Sequence, residues 1–420
     1  MTLHSAPPPA PLAAALPPPR SAYLHIPFCH RRCYYCDFPV VPLGDRADGS
    51  RSASIPAYLA LLEAEIEATP AGPPLSTVYL GGGTPSLLTP AQVAALLAAL
   101  RRRYGLAPGA EVSLELDPAS FDQQRLRGYL AAGVNRVSLG GQSFDDAVLE
   151  GLGRRHRRRD LREACRWLAA AWREGSLRSW SLDLIQGLPL DLADGGLSHW
   201  REQLLQAVAE GPPHLSVYDL IVEPGTVFAR RQERGQLDLP PEELAADLLE
   251  LTGEVLRGAG YGHYEISSYA LPGHTSRHNR VYWSGAGWWG FGMGATAAPW
   301  GQRQARPRTR EAYAAWLAGC GPASLVPQEQ VGMPLDERLL VGLRRREGVN
   351  LAALAAAHGL TETDRGELRQ RLEPFLEAGL LRIEGPRWRL SDPEGLALSN
   401  AVLRELLDWH QAWEERRAAR

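Results

Sequence analysis

Ala22-Tyr23-Leu24-His25-Ile26-Pro27-Phe28-Cys29-His30-Arg31-Arg32-Cys33-Tyr34-Tyr35-Cys36 is the stretch that decides how this chain folds. Residues Ala22–Ile26 make a short apolar strand, and three cysteines follow at once in C-x3-C-x2-C spacing. Outward from there, short apolar runs alternate with helical periodicity. Strands are expected at Thr77–Leu80, Glu111–Leu116, Asn135–Leu139, Trp180–Ile185 and His214–Leu220, with a further one at Gly262–Ser267. Helices are expected between them at Ile55–Ala68, Pro90–Tyr104, Phe121–Ala132, Asp160–Arg173, Leu197–Ala209 and Pro241–Gly258. Strands separated by helices pair in parallel through right-handed crossovers. Six such units predict an α/β fold, a partial (β/α)6 barrel rather than a full eightfold one.

Four domains are expected. Residues 1–20 read as a disordered Pro/Ala-rich tail without the charged start of a signal peptide. Residues 21–268 form the partial barrel, and 269–332 an aromatic and glycine-rich segment. Residues 333–420 form a C-terminal helical, winged-helix-like domain: helical patterns, a hairpin turned at Gly385-Pro386, and a last helix near Ala397–Glu415. The chain has 420 residues, 45% hydrophobic and 22% charged, with a net charge of −3. That composition excludes a disordered chain, and the balanced charge speaks against a nucleic-acid or anionic-membrane partner. All 45 basic residues are arginine, so Schiff-base and P-loop lysine chemistry are excluded. No apolar run reaches the ~18 residues of a membrane-spanning helix. Five cysteines, three of them within eight residues, are not a disulfide framework, and the cytosol is the expected compartment.

Three thiolates on one short loop can hold three irons of a [4Fe–4S] cube and leave the fourth iron open to a ligand. Zinc is the alternative, since soft thiolates suit both; it would need a fourth ligand, for which His25 or His30 stands near. Cys165 and Cys320 read as structural. Polar motifs then recur where strands end, which is where parallel barrels gather their chemistry. The second strand runs into Gly81-Gly82-Gly83-Thr84-Pro85, where successive glycines either let backbone approach a ligand or make a tight turn. The third carries Glu115 and the fifth Asp183, carboxylates in apolar runs that need partners. The fourth ends in Gly140-Gly141-Gln142, which sets Gln142 at the rim.

Tyr23 through Cys36-Asp37-Phe38 resembles the signature of the radical S-adenosylmethionine (SAM) superfamily. Within it the chain is similar to the oxygen-independent coproporphyrinogen III dehydrogenases and to the HemW-type haem chaperones, from about residue 21 to its end. The resemblance implies a [4Fe–4S] cluster on Cys29, Cys33 and Cys36 that binds and can reduce SAM. It implies SAM contacts at Tyr23, Tyr35, Gly82, Gly83, Thr84, Glu115, Gln142, Arg154 and Asp183. Arg154 is singled out because its guanidinium fork can hold a carboxylate; the rest of the run Arg154–Arg159 reads as a solvated helix start.

Two features place the chain with the chaperones. The dehydrogenases carry a fourth cysteine two positions after the third, where this chain has Phe38, and they carry an N-terminal extension where this chain has its proline-rich tail. A positive mark is His278-Asn279-Arg280-Val281-Tyr282-Trp283, similar to the H-N-x-x-Y-W motif of the haem chaperones. There the histidine is proposed to contact haem, so His278 is a haem-ligand candidate, with a structural histidine as the other reading. A further histidine common in the family within Gly292–Thr296 is missing here. The resemblance implies haem as cargo, a haem-acceptor protein, and an electron donor if SAM is cleaved. Any membrane contact would be peripheral and made through a partner. The C-terminal segment Thr361–Ala378 has three arginines against five acidic residues, which disfavours a nucleic-acid partner.

Overall fold

The computed structural model describes residues 16–45, 48–192, 196–319 and 332–419. Most of the tail and Cys320 therefore lie outside the described residues. The main sheet has nine strands: β1 (Ser21–Ile26), β2 (Leu75–Gly82), β3 (Leu106–Leu116), β4 (Arg136–Gln142), β5 (Ser179–Gln186), β6 (His214–Asp219), β7 (Gly262–Glu265), β8 (Ser268–Ala270) and β9 (Trp289–Phe291). Their spatial order is β9-β1-β2-β3-β4-β5-β6-β8-β7. Pairing is parallel from β9 to β6, as crossovers through helices require, and β8 then runs antiparallel to β6.

The six expected parallel strands are present, with Leu24, Leu80, Leu114, Leu139, Leu182 and Leu215 fully buried along their centres. Helices on one face cover them. Ser54–Ala68 does so through Ile55, Tyr58, Leu62 and Ile66, and Pro90–Arg103 through Val93, Leu96, Leu97 and Leu100. Thr89 opens the latter helix as a capping box with Gln92, followed by Pro90 where proline fits a helix start.

Three differences from the expectation have physical reasons. The stretch Gly262–Ser267 is not one strand but the start of a hairpin, turning after Glu265 into β8. The aromatic and glycine-rich segment supplies β9, which pairs with β1. Glycine lets the segment after β9 fold back onto it: a side chain on Gly290 would strike the Thr296 carbonyl at 2.4 Å. The helix expected over Glu362–Glu377 breaks in two at Leu372, ahead of Pro374.

One buried carboxylate anchors the segment that carries β9. Glu65 accepts from Arg306 Nε at 2.7 Å, from Gly292 N at 2.7 Å and from the Tyr313 hydroxyl at 2.6 Å. Both charged side chains are almost wholly buried, and their pairing and hydrogen bonding offset the cost of leaving water. The C-terminal region has its own core, from Leu335 to Trp413. It runs helix (Leu335–Leu343), strand (Val349–Asn350), helix (Leu351–His358), helix (Glu362–Arg371), then the hairpin Leu381–Glu384 and Arg387–Leu390. The first short strand pairs with the second hairpin strand, which is the arrangement of a winged helix. Asp392 ties this unit to the barrel through His263 at 2.9 Å and Arg257 at 3.2 Å. Among the described residues, no helix is long and apolar enough to cross a membrane.

Candidate functional site

The carboxyl ends of the parallel strands open into a cavity of about 420 Å³, within the range of small-molecule sites. Cys29, Cys33 and Cys36 line it together with Tyr35, Gly82, Gly83, Thr84, Glu115, Gln142, Arg154 and Asp183. Eleven residues chosen from separate stretches of the chain thus converge on one space. Tyr23 and His278 do not line it.

The cysteine loop is held from several sides. Val41 and Leu43 donate backbone bonds to the carbonyls of Pro27 and Cys29, and Tyr34 is bridged to Leu152 and Phe228. The three thiols are free. Thr84 Oγ1 donates to Cys29 Sγ at 3.5 Å and Arg154 Nη1 to Cys33 Sγ at 3.6 Å. Burial pushes the Cys29 thiol up to about 12 and raises Cys36 too, so thiolates here need the charge of a bound metal. His25 is unsuited to complete a zinc site: its Nε2 meets the Pro39 carbonyl at 3.0 Å and its Nδ1 the Tyr23 hydroxyl at 2.9 Å. Among the described residues, no three His, Cys, Asp or Glu side chains are grouped to hold one metal ion. Three free thiols at one cavity, two of them facing hydrogen-bond donors, fit a thiolate-held cluster.

The glycine run packs under the loop while its backbone still lines the cavity. Gly83 donates to the Ile26 carbonyl at 2.9 Å, and a side chain on it would meet Phe28 O at 2.8 Å. Gly82 sits at φ +112°, where a side chain would strike the His25 ring at 2.4 Å. The close approach is thus between β2 and the end of β1, and it brings Thr84 to Cys29.

Glu115 accepts from the Tyr79 hydroxyl and from Gly82 N, both at 2.9 Å. Burial nevertheless raises its carboxyl to about 7, with Asp183 adding to the rise. Asp183 accepts from Ser138 Oγ at 2.7 Å and Ser181 Oγ at 3.2 Å, and burial raises it as well. Gln142 has φ +64°, the left-handed region, and is the sole non-glycine residue there among those described. The pairing of β4 with β5 shifts register between Gly140 and Gln142, so a bulge turns Gln142 toward the cavity. Strain of this kind persists where the surroundings enforce it, most often at functional sites.

Arg154 is engaged with Asp117, a residue that the sequence analysis does not single out. Its Nη2 donates to Asp117 Oδ2 at 2.7 Å and to the Gly140 carbonyl at 2.9 Å, while its Nε is buried without a partner. Burial works against the Asp117 carboxylate, but the Arg154 guanidinium and His156 hold it well below the usual carboxylate range. Asp117 also lines the cavity, as does Tyr79. The signal for Asp117 was its place after the apolar run Leu114-Glu115-Leu116; nothing in the sequence linked it to Arg154.

Tyr23 stands behind Tyr79, with ring centroids 6.2 Å apart. It packs behind the cavity wall, which Tyr79 forms, and does not itself line the cavity. For His278 the structure supports the structural reading. The imidazole is completely buried. Its Nδ1 bonds Thr77 Oγ1 at 2.8 Å and its Nε2 the Tyr282 hydroxyl at 2.7 Å, so neither nitrogen is open to iron. The ring also stacks on Tyr79 at 5.1 Å, and burial lowers its pKa to about 3. Glu111 fixes the start of this helix (Arg277–Ser284) by accepting from the backbone of Arg277 and His278.

The radical SAM superfamily model matches residues 23–189, and the HemN C-terminal domain model matches residues 334–397. Among curated proteins, a heme chaperone HemW from Synechocystis sp. is 41% identical, covering 92% of this chain and 96% of that protein. One from Mycobacterium tuberculosis is 38% identical, covering 97% of this chain and all of that protein. Among solved structures, the coproporphyrinogen III oxidase HemN from Escherichia coli, a radical SAM enzyme, superposes with a TM-score of 0.75. It covers 93% of this chain and 90% of its own at 23% identity, a likeness of fold. A cysteine loop on the first strand of a parallel sheet, and relatives alike over nearly their whole length, lead to one statement: this chain belongs to the HemW family of the radical SAM superfamily.

Proposed function

We propose that the chain holds a [4Fe–4S] cluster on Cys29, Cys33 and Cys36, takes SAM at the open iron, binds haem and delivers it to an acceptor protein. The observation that carries this reading is the likeness, over more than nine-tenths of the chain, to proteins named heme chaperones. When bound, the cluster supplies an iron site for the amino and carboxylate groups of SAM and a source of one electron. The protein's residues orient and shield. Thr84 and Arg154 donate to two of the sulfurs. Glu115 and Asp183 offer carboxylate oxygens suited to ribose hydroxyls or an ammonium group. Gln142 reaches in from its bulge, and Tyr35 closes the wall beside the cysteines. Three unpaired thiols fit a reducing compartment, and we assign the chain to the cytosol on that ground.

The other reading is coproporphyrinogen III dehydrogenase activity. Phe38 in place of a fourth cysteine disfavours it. Titration of the anaerobically reconstituted protein with haem should shift the Soret band saturably, at equimolar haem. The same protein given coproporphyrinogen III, SAM and a reductant should make no protoporphyrinogen IX. Catalytic formation of that product would overturn the chaperone reading.

A further inference from the structure

We propose that haem docks on the mouth of the cysteine cavity, with Phe38, Tyr218 and Ile221 against the macrocycle and Arg31 and Arg32 on its carboxylates. This rests on the haem-binding reading above and assigns the surface that reading lacks, since His278 has no nitrogen to offer. Among the described residues, eight large hydrophobic side chains are notably exposed, and three of them line this one cavity. Phe38 is 52% exposed, Tyr218 43% and Ile221 65%. Large apolar side chains gathered at the opening of a polar cavity mark a ligand surface rather than ordinary scatter. They come from two places: Phe38 follows the third cysteine, while Tyr218 and Ile221 stand at the carboxyl end of β6.

Charge selects the ligand. Arg31 and Arg32 are exposed and line the same cavity. Arg31 makes no side-chain hydrogen bond or ion pair among the described residues. Arg32 makes one hydrogen bond, to the Phe38 carbonyl at 3.1 Å. The other two arginines lining the cavity have carboxylate partners: Arg154 has Asp117 at 2.7 Å and Arg155 has Asp45 at 3.5 Å. An apolar rim carrying two guanidinium groups without carboxylate partners suits a flat apolar ring with carboxylates at its edge. The carboxylates and aromatic wall behind the rim belong to the SAM site, so the cargo meets the rim. A ring held there keeps one edge in solvent, where an acceptor can take it.

Recognition by ring and carboxylates makes iron dispensable, and this separates the rim from any site built on an axial ligand. The full-length reconstituted protein should bind haem and metal-free protoporphyrin IX with affinities within about threefold of each other. The double substitution Phe38→Ala with Ile221→Ala should weaken both by about tenfold or more, as should Arg31→Ala with Arg32→Ala. Haem dimethyl ester should bind the unaltered protein about as poorly as haem binds the arginine variant. His278→Ala, corrected for any unfolded fraction, should leave both affinities in place. Circular dichroism and iron content keep the comparison to folded, cluster-loaded protein, and all four substituted rim side chains are exposed. If the unaltered protein binds neither porphyrin, the haem reading itself fails. If it binds haem but the rim variants bind equally well, or protoporphyrin IX does not bind, the rim assignment is overturned and the haem reading survives.

Discussion

Two polar clusters lie on either side of Tyr79. On the cavity side its hydroxyl meets Glu115, with Asp183, Gln142 and Arg154 lining the same space. On the other side its ring stacks on His278, which Thr77 and Tyr282 clamp. Both clusters carry residue types that do chemistry. They differ in whether those residues have capacity left. Behind Tyr79 both imidazole nitrogens are bonded and water is excluded. In front of it, carboxyl groups are raised by burial, a guanidinium nitrogen has no partner and a backbone is held in the left-handed region. A sequence motif does not tell these cases apart; counting donors and acceptors does.

The largest expected effect lies in front of Tyr79. Replacing Cys29, Cys33 or Cys36 by Ser should abolish the cluster, taking iron from about four per chain to background. Cys165→Ser, in the buried core, should leave it intact. Iron analysis after anaerobic reconstitution reads this directly, and zinc bound in equal amount to the chain would break the cluster assignment.

Next comes the cluster behind. His278→Ala removes a stacked, doubly bonded buried ring and should destabilise the protein by roughly 3 kcal/mol, with iron content unchanged in the folded fraction. Denaturant titration measures it. Burial holds this imidazole at about 3 against an ordinary 6.5. Its contribution is therefore complete above pH 6.5 and drains away as pH falls toward 3, an acid sensitivity the variant should lack. Unchanged stability with lost haem binding would reverse the contrast between the two sides.

Glu115 gives the opposite pH dependence. Its folded carboxyl titrates near 7 against 4.5 unfolded, so its contribution is present below pH 4.5 and lost as pH rises through 7. Thermal unfolding of Glu115→Gln should show a flatter profile over that window, with SAM affinity reduced above pH 7. The smallest effect is at Gln142. Gln142→Gly should relieve the left-handed backbone and stabilise by about 1 kcal/mol while weakening SAM binding, seen by calorimetry. A variant that loses stability instead would show that the side chain, not the ligand, maintains that bend.

The parallel strands were legible because each is a nearly unbroken apolar run between helical periods. The C-terminal hairpin was legible from Gly385-Pro386. Strand β9 was not, since three residues among glycines carry no period. Strand β3 begins at Leu106, five residues earlier than expected, because Pro108 and Gly109 look like a turn. At the site, chemistry and resemblance picked out eleven of the residues that line the cavity. They missed the salt bridge of Arg154 with Asp117, which are distant in sequence and meet only after β3 and β4 pair. They assigned Tyr23, whereas Tyr79, in matching register on the neighbouring strand, lines the cavity.

The pairing of β9 with β1 sets a constraint on synthesis. The chain leaves the ribosome N-terminus first. When Asp219 has emerged, six strands are available, yet the outer edge of β1 remains a row of unpaired amides until Trp289 arrives to lie opposite Ala22. Through that interval the nascent protein carries a bare edge beside its three thiols, open to pairing with another chain. Closing that edge is among the last steps by which the sheet becomes whole. A chain cut short anywhere before β9 keeps the strand that bears the cysteine loop as an adhesive border.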